Sequence, residues 1–421
     1  MGSLGAESPN GAPAVDVDAL AVLPNAAEKV PSLVSEISSR GTGIALDNAK
    51  DRLELLETAR SLVRALETPR EALLRYCWRE PASFAAIMFT LNLGVFALLP
   101  ATGSPKKAQE LAEATKADPK LLSRMLKHLA ATGVLAETGP DEYRGTNFST
   151  AMGVERFSDT FPVFANGLNP AIAKIPDFFK EAQYQSPSKL TTTPFNVAHA
   201  TDKNFFEFLK EQPHVVKQFA NHMSTYHLGR PSWMDSGFYP VEEGLVADQD
   251  IKGDDVLLID IGGSTGHDLS EFSRKWPSVP GRLILQDLPE VVAEAKKMDL
   301  PSSIEPMPYN FFTEQPVKGA RAYYMHSVLH DWPDDDCRKI LSNITPAMKP
   351  GYSKILINEN VIPETNAHWE TTSLDFVMMT VNSTERTARD WKVLVESVGL
   401  KIVKIWTVRR GVESLIECEL A

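Results

Sequence analysis

From residue 254 to the end, short apolar runs alternate with helical stretches, and this alternation constrains the fold more than any other feature of the sequence. The runs lie at 256–262, 282–288, 321–328, 353–362, 401–408 and 413–420. Apolar strands separated by helices are typical of a mostly parallel sheet that is covered on both faces. Only a short RRGV segment separates the last two runs, so we expect them to form an antiparallel hairpin. The sequence therefore predicts an α/β domain.

A glycine-rich turn, Asp260-Ile261-Gly262-Gly263-Ser264-Thr265-Gly266, follows the first of these strands and precedes a helix. Glycines there let the backbone pass close to a ligand, and the first turn of the helix offers free N–H groups. The turn matches neither the G-x-G-x-x-G of dinucleotide enzymes nor a phosphate-binding loop. Asp287 ends the next strand, where a carboxylate can accept both hydroxyls of a ribose. Together they indicate an adenosine site, with S-adenosylmethionine (SAM) favoured over a dinucleotide; a tight turn without a ligand is the alternative.

Residues 105–150 have the order of a winged helix, with two helices followed by two short strands. Asp118-Pro119 is an N-cap followed by a proline at the first helical position, and the helix that it starts ends before Gly133. The second helix carries four basic or titratable residues that make DNA recognition one alternative, namely Lys120, Arg124, Lys127 and His128. The net charge of −12 argues against a nucleic-acid partner and favours dimerisation or covering of a substrate.

Four segments are expected along the chain. Residues 1–40 form a tail without order, and Ala, Gly, Pro and Asp dominate its first 25 or so residues. Residues 41–150 form a helical plus winged-helix dimerisation domain. Residues 151–245 are helical and rich in aromatic side chains, some of which can line a pocket for a flat substrate. Residues 246–421 form the SAM-binding domain.

The uncharged stretch over 84–100 is near the lower limit for a membrane span. Asn92, Gly94 and the flanking Pro81 and Pro100 shorten any continuous helix there. We therefore expect a fully buried helix, with a subunit interface as one explanation, and no membrane partner.

Cysteine usage and the N-terminus bear on the cellular compartment. Cys77, Cys337 and Cys418 are far apart, which argues against a disulfide framework and against a cysteine-based zinc site. The first residues lack the basic and apolar regions of a signal peptide. We expect a cytoplasmic protein without a bound metal.

Five segments, taken in order, carry a family resemblance: LLIDIGGSTGH, LILQDLPEVV, YYMHSVLHDWPDDDCRKIL, ILINENVIPE and NSTERTARDWKVLVESVGLKI. They resemble the caffeate-type SAM-dependent O-methyltransferases, in their fungal secondary-metabolism branch, and the similarity covers about residues 85–421. The resemblance implies a Rossmann-like domain that binds SAM, preceded by a winged-helix domain through which the chain forms a homodimer. It also implies methyl transfer to a hydroxyl of a small aromatic or polyketide-type molecule.

The resemblance implies a catalytic histidine and two supporting carboxylates. The family's base corresponds to His330 in the segment LHDW, and the carboxylates that hold it correspond to Glu359 and Glu385. A phenol is a weak nucleophile at neutral pH, and an imidazole can take its proton as attack begins. A carboxylate that accepts from the imidazole N–H sets its tautomer. Without the resemblance, a histidine near a strand end is more simply a structural residue, and Glu385 a residue of the first turn of a helix.

The resemblance further implies the residues that contact the cofactor and the substrate. Cofactor contacts fall on Asp260, Gly262, Gly263, Gly266, Asp287, Leu288, Asn310, Phe311 and His326. Substrate contacts fall on Met223, Asp331 and Met378, although core packing explains Met223 equally well. Three positions depart from the family: Ser264 replaces a third glycine, Asn310 stands where an aspartate is common, and His326 replaces the lysine of plant members. Because asparagine keeps an acceptor but lacks the charge, we expect SAM to bind differently or more weakly.

Two other functions stay open. A cyclase or pericyclase with the same fold would order a reactive polyene without transferring the methyl group, and the Tyr309-Asn310 pair is compatible with it. A binding or regulatory protein with an inactive SAM site is suggested by the winged helix alone. The presence of His330, Glu359 and Glu385 favours methylation.

Overall fold

The chain divides into two units, Met1–Ser158 and Asp159–Ala421, in a computed structural model that describes residues 15–186, 190–247, 251–298 and 300–421. Residues 1–14 of the expected tail lie outside the described residues. The helical segment expected as a separate piece over 151–245 falls mostly within the second unit, together with the predicted sheet.

The first unit is mainly helical and contains a small antiparallel sheet. Its helices are α1 (Val17–Val22), α2 (Val30–Gly41), α3 (Ala49–Leu66), α4 (Pro69–Leu74), α5 (Glu80–Asn92), α6 (Val95–Leu98), α7 (Ala108–Thr115), α8 (Pro119–Ala131), α9 (Asn147–Ala151) and α10 (Glu155–Ser158). Its strands β1 (Lys106–Lys107), β2 (Leu135–Gly139) and β3 (Glu142–Gly145) lie in the order β1-β3-β2. The Asp118 side chain accepts the Leu121 N–H at 2.7 Å and so caps α8. The predicted order of helix, helix and wing is confirmed.

The expected tail without order over 1–40 is wrong for residues 17–22 and 30–41, which are helical. The Asp16 side chain caps α1 by accepting the Ala19 N–H at 3.0 Å. Helix α2 contacts α3, and Arg40 pairs with Glu54 across them at 2.5 Å. Composition alone indicated disorder, but an amphipathic stretch becomes ordered when a partner helix covers its apolar side.

The uncharged stretch over 84–100 forms the end of α5 and all of α6, with Gly94 between them in the left-handed conformation (φ 69°). Within α5 the buried residues are Ala86, Ile87 and Thr90. The expectation of a fully buried helix is therefore wrong for a single chain, because the other residues of α5 are half-buried or exposed. Among the described residues, no helix is long and apolar enough to cross a membrane.

The second unit is built on a seven-stranded sheet. Its strands are β4 (Val256–Ile261), β5 (Arg282–Asp287), β6 (Ile304–Pro308), β7 (Ala322–His326), β8 (Lys354–Glu359), β11 (Leu400–Trp406) and β12 (Ser414–Leu420), with a separate pair β9 (Val361–Ile362) and β10 (Arg386–Thr387). Its helices are α11 (Thr160–Val163), α12 (Asn169–Glu181), α13 (Pro194–His199), α14 (Phe205–Lys210), α15 (Pro213–Tyr226), α16 (His267–Lys275), α17 (Pro289–Ala295), α18 (Asp334–Ile344), α19 (Trp369–Met379) and α20 (Ala388–Glu396).

The strands of the sheet lie in the order β11-β12-β8-β7-β4-β5-β6, and this order indicates where a ligand would bind. Strand β4 pairs in parallel with β5 on one side and with β7 on the other, so the chain changes direction across the sheet at β4. Open α/β sheets bind ligands beyond the carboxyl ends of the strands at such a reversal. The predicted final hairpin is confirmed, since β12 is antiparallel to both β11 and β8.

All six predicted strands are found, but β6 has no counterpart in the prediction. It is an edge strand that pairs only with β5. Pro306 and Pro308 interrupt its pattern of apolar residues, and proline, which lacks an N–H group, is tolerated in a strand mainly at an edge. The sheet is covered on both faces, with Ile259 and Tyr323 in one apolar cluster and Leu258 and Tyr324 in another.

Candidate active site

The glycine turn after β4 has contacts that leave no room for a side chain. Gly262 has a φ of 76°, and a Cβ added there would lie 2.9 Å from Val328 Cγ2. A Cβ added to Gly263 would overlap the carboxylate of Asp260. Helix α16 begins directly after Gly266. The turn thus brings bare backbone to the carboxyl end of β4, next to the start of a helix.

Asp287 lies at the carboxyl end of β5 and is held by the glycine turn. Its Oδ2 accepts the Ser264 N–H at 2.9 Å, and its Oδ1 accepts the Leu288 N–H at 2.7 Å. Burial raises the pKa of this carboxyl above its ordinary value. Each oxygen keeps further acceptor capacity, so two ribose hydroxyls could bind here. Ser264, which replaces a glycine of the family, contributes a backbone donor to this arrangement.

Asp260 is a buried carboxylate without a partner. It is 1% exposed, and neither of its oxygens has a hydrogen-bond partner among the described residues. Burial, and then the neighbouring Asp268, raise its pKa well above the ordinary value. Such a group is costly unless a ligand supplies a donor or a positive charge. SAM carries an ammonium group of this kind, and the residues of this crevice therefore fit SAM.

His326 lies between two carboxylates at the end of β7. Its Nδ1 is 2.7 Å from Asp268 Oδ2, and its Nε2 is 3.4 Å from Glu413 Oε2. Burial opposes protonation, but the two carboxylates outweigh it and raise the pKa of His326 well above its ordinary value. The ring of His227 lies 4.9 Å away, and burial lowers its pKa to about 4. His326 thus carries the positive charge that a lysine would bring, whereas His227 is neutral.

Sequence reasoning missed His227, Asp268 and Glu413. Asp268 lies two residues after Gly266, in the first turn of α16, and this position gave a usable signal. The other two come from distant parts of the chain. Two clusters in the described residues bring potential metal-ligand atoms within 4.8 Å of one another, namely His227, His326 and Glu413, and His330, Glu359 and Glu385. In each cluster an imidazole is hydrogen-bonded directly to a carboxylate, so ion pairing accounts for the geometry.

His330 lies on the turn that follows β7 and is 7% exposed. Its Nδ1 is 2.8 Å from Glu385 Oε1 and 3.8 Å from Glu359 Oε2. Glu359 Oε1 accepts three backbone N–H groups, from Val328, Leu329 and His330, at 3.0, 2.9 and 3.2 Å. The three residues named from the sequence are therefore brought together, with Glu385 bonded to the imidazole and Glu359 bonded to the turn that carries it.

Pairing between two short strands brings the two glutamates together. Glu359 ends β8 and Glu385 precedes β10, and Arg386 in β10 pairs with Val361 in β9. Arg386 also donates from Nη1 to the backbone oxygen of Leu329 at 3.0 Å, which ties β10 to the turn that carries the histidine. Sequence reasoning missed Arg386.

The charges in this cluster make the imidazole strongly basic. Burial opposes its protonation, but Glu359, Asp331 and Glu385 outweigh burial and raise the pKa of His330 to about 10. Burial raises the pKa of Glu359 to about 7 and that of Asp331 to about 6.

A cavity opens next to this cluster. His330 and Asp331 line it, as do Met223 and Met378, which were expected to contact the substrate. Helix α15 provides one wall, because its residues at helical spacing all face the cavity: Phe219, His222, Met223 and Tyr226. Further aromatic walls come from Phe205, Phe206 and Trp332.

Asn310 and Phe311 lie on the loop after β6. Asn310 is exposed, and its side-chain oxygen accepts the Phe312 N–H at 3.0 Å. Its acceptor is therefore partly used within the loop, which leaves the amide N–H groups as donors. The ring of Phe311 packs edge-on against Trp332, with 5.9 Å between ring centroids, and lies close to Gly262.

Comparison with known families identifies the class of protein. Residues 240–401 match the O-methyltransferase domain, and residues 82–154 match the O-methyltransferase dimerisation domain. The chain belongs to the SAM-dependent O-methyltransferases, with SAM as its cofactor.

Relatives cover nearly the whole chain. The O-methyltransferase mpaG of Penicillium roqueforti is 36% identical over 94% of this chain and 99% of its own length. A solved structure described as a pericyclic reaction enzyme is 30% identical, with a TM-score of 0.83 over 94% of this chain and 100% of that chain. OxaC in complex with SAH and oxaline is 29% identical, with a TM-score of 0.81 over 94% of this chain and 99% of that chain.

Proposed function

We propose that this enzyme methylates a hydroxyl of a small aromatic or polyketide-type secondary metabolite, with His330 as the general base. The observation that carries the proposal is a buried imidazole, hydrogen-bonded to Glu385 at 2.8 Å, on the wall of an aromatic cavity. A flat, largely apolar acceptor fits such walls.

The hydrogen bond to Glu385 determines which nitrogen acts. When His330 is neutral, its Nδ1–H donates to Glu385, so the lone pair lies on Nε2. His330 then takes the proton of the acceptor hydroxyl at Nε2, and the two glutamates stabilise the imidazolium that forms. SAM, when bound, would supply a methyl group already activated on its sulfonium, and S-adenosylhomocysteine would leave as an O–CH3 bond replaces the S–CH3 bond. The remaining task of the chain is to align the acceptor oxygen with that methyl group.

The base has to be neutral before it can act. The pKa of about 10 reflects the carboxylates around the imidazole. A positive charge beside the imidazole lowers its pKa. Binding of the cationic cofactor therefore favours the neutral, proton-accepting form of His330.

We assign the cofactor contacts to the crevice beyond β4 and β5. Asp287 accepts the ribose hydroxyls, and Asp260 pairs with the ammonium group. Gly262, Gly263 and Gly266 let the backbone approach the cofactor. The remaining contacts are assigned to residues around the same crevice, Leu288, Asn310, Phe311 and His326.

His330→Ala tests the proposal. We expect the variant to bind SAM with unchanged affinity and to lose methyl transfer by about 100-fold or more. SAM affinity is measured by calorimetry, and methyl transfer by mass spectrometry of the product. His214→Ala, which changes an exposed histidine outside the cavity, is the matched control. Unchanged turnover in His330→Ala would remove the base assignment.

A pericyclase or cyclase is a second candidate, and the fold match to a pericyclic reaction enzyme favours it. The two functions differ in the mass of the product. Deletion of the gene should remove a product that is one methylene heavier than the precursor that accumulates if the enzyme methylates. Precursor and product of equal mass would indicate cyclisation.

We also propose that the chain forms a homodimer through residues 82–154. The match to the dimerisation domain and the half-buried, uncharged stretch over 84–100 support it. Light scattering of the purified protein should give twice the chain mass of 46.5 kDa, and a monomer at micromolar concentration would contradict it.

A further inference from the structure

Five charged side chains of alternating sign are linked by direct contacts in the second unit. This ion-pair network consists, in order of contact, of Asp268, His326, Glu413, Arg230 and Glu370. Its four contacts measure 2.7, 3.4, 3.4 and 2.7 Å. One end lies in the first turn of α16, after the glycine turn, and the other end lies in the first turn of α19. Because α19 lines the aromatic cavity, the network joins the cofactor crevice to a wall of that cavity.

Arg230 links the elements around the cavity. Its side chain is 10% exposed, its Nη1 donates to Glu413 Oε1 at 3.4 Å, and its Nη2 donates to Glu370 Oε1 at 2.7 Å. Its guanidinium carbon lies 3.9 Å from the ring centroid of Tyr226, which lines the cavity from α15. The planar fork of an arginine can contact two carboxylates at once, which the single ammonium of a lysine does less well. Arg230 therefore connects α15, α19 and the start of β12.

The other end of the network lies beside the group assigned to the ammonium of the cofactor. Burial, and then the charge of Asp268, raise the pKa of Asp260, so the two carboxylates interact. An ammonium group bound at Asp260 attracts Asp268 and repels the imidazolium of His326. Because these groups are buried, water screens the interactions only weakly. Cofactor binding therefore weakens the contact of His326 with Asp268 and favours its contact with Glu413.

Glu413 has the longest contacts of the network. Its contacts with His326 and with Arg230 are both 3.4 Å, whereas the two outer contacts are 2.7 Å. Hydrogen bonds between charged groups are strongest at about 2.7–2.9 Å, so both contacts of Glu413 can still shorten. A closer contact with His326 fixes the carboxylate that Arg230 holds, and Arg230 in turn holds α19 through Glu370.

We propose that Arg230 is a positioning residue that transmits cofactor binding to the walls of the aromatic cavity. With the cofactor bound, Arg230 holds α15 and α19 in the arrangement that receives the second substrate. The cost of ordering these walls then falls on cofactor binding, so the second substrate binds more tightly to the cofactor complex. The inference goes beyond the proposed function, because it applies to methyl transfer and to cyclisation alike.

Hydrogen–deuterium exchange of the full chain tests the inference without turnover. S-adenosylhomocysteine serves as the probe, because it carries the same ammonium group and has no methyl group to transfer. If cofactor binding orders α19, the amides over Trp369–Met379 should exchange about 5-fold or more slowly with the probe bound. The amides of α17, which follows Asp287, should also be protected and report that the crevice is occupied.

Arg230→Met assigns the effect to a residue, because methionine keeps an unbranched apolar side chain and lacks the guanidinium. The variant should still bind the probe in calorimetry and protect α17, but it should lose the slowing of exchange in α19. A purely structural role would instead change the exchange of α19 equally with and without the probe. Arg230→Lys should restore at most part of the slowing, since its ammonium holds one carboxylate rather than two.

Two further variants complete the test. Glu370→Gln breaks only the last contact, at a side chain that is 41% exposed, and it should lose the slowing in α19 as well. It decides the question if Arg230→Met does not fold. Arg282→Met is the matched control, because it removes an arginine that is also paired, with Glu305 at 2.8 Å, but that does not line the cavity. This control should keep the slowing.

Affinity for an aromatic probe gives an independent measure of the coupling. 2-Naphthol is titrated by calorimetry into the wild type with and without S-adenosylhomocysteine. We expect about 5-fold or more tighter binding in its presence, and no such gain in Arg230→Met or Glu370→Gln. Exchange in α19 that does not respond to S-adenosylhomocysteine in the wild type would overturn the inference. Equal slowing in the wild type and in both network variants would also overturn it, because the effect would then bypass Arg230.

Discussion

Glu385→Gln isolates the charge that holds the proposed base. Glutamine keeps an oxygen acceptor at the position that lies 2.8 Å from His330 Nδ1 but removes the negative charge. His330 is 7% exposed and Glu385 is 5% exposed, so solvent screens this pair poorly. The substitution should therefore change the basicity of His330 more than its position.

The size of the effect follows from the distance. An opposite charge within this range shifts a pKa by about 1–3 units. We expect the pKa of His330, raised to about 10 in the wild type, to fall by about 1–3 units in the variant. At about 1.4 kcal/mol for each unit, the imidazolium loses about 1.4–4 kcal/mol of stabilisation. In the SAM complex, where His330 is neutral, the imidazolium that forms as the acceptor loses its proton is less stable by this amount, so kcat should fall by up to about 10- to 1000-fold.

Two measurements check this expectation. Release of S-adenosylhomocysteine at saturating SAM and acceptor gives kcat, and NMR titration of the histidine ring protons gives the pKa. Glu364→Gln is the matched control, since its side chain is 58% exposed and pairs with Arg389 at the surface. A kcat within twofold of the wild type, or an unchanged titration of His330, would refute the role given to Glu385.

Two further predictions concern the cofactor and the effect of pH. Asp287→Ala removes a carboxylate held by two backbone donors and should lower the affinity for SAM, measured by calorimetry, by about 100-fold. Glu290→Ala changes an exposed carboxylate nearby and should leave this affinity unchanged. Equal SAM affinities of the wild type and Asp287→Ala would contradict the ribose contact. The folded state raises the pKa of Glu359 from 4.5 to about 7 and that of His330 from 6.5 to about 10. A group with a raised pKa contributes its full stability when the pH is below its pKa in the unfolded state. This contribution is lost as the pH rises through its pKa in the folded state. The Tm by differential scanning fluorimetry should therefore fall between about pH 5 and pH 10, and His330→Gln should flatten the upper part of this decline; a Tm that rises over this range would contradict the assignment.

The sequence by itself determined the architecture of the second unit and the position of its glycine turn. Strands and helices follow from local patterns of apolar residues, because the period of those patterns differs between the two. The turn at Gly262 and Gly263 could be located from its glycines, which directly follow the first strand. The LHDW segment located His330 through the family resemblance. Strand β6 was missed because its prolines hide the local pattern.

Only the tertiary structure decided what surrounds these residues. Glu385 reaches His330 across 55 positions of the chain, and Glu413 reaches His326 across 87. No local pattern encodes such distances, because they depend on how β8, β12 and the β9–β10 pair align next to β7. The same holds for the cavity, whose walls come from α15, α19 and the turn after β7. The carboxylate of Asp331 could be named from the sequence. Its position in the cavity wall, with Oδ1 3.5 Å from Nε2 of His330, is set by the packing of segments that are far apart in the chain. The same packing leaves the described lining of the cavity without lysine or arginine.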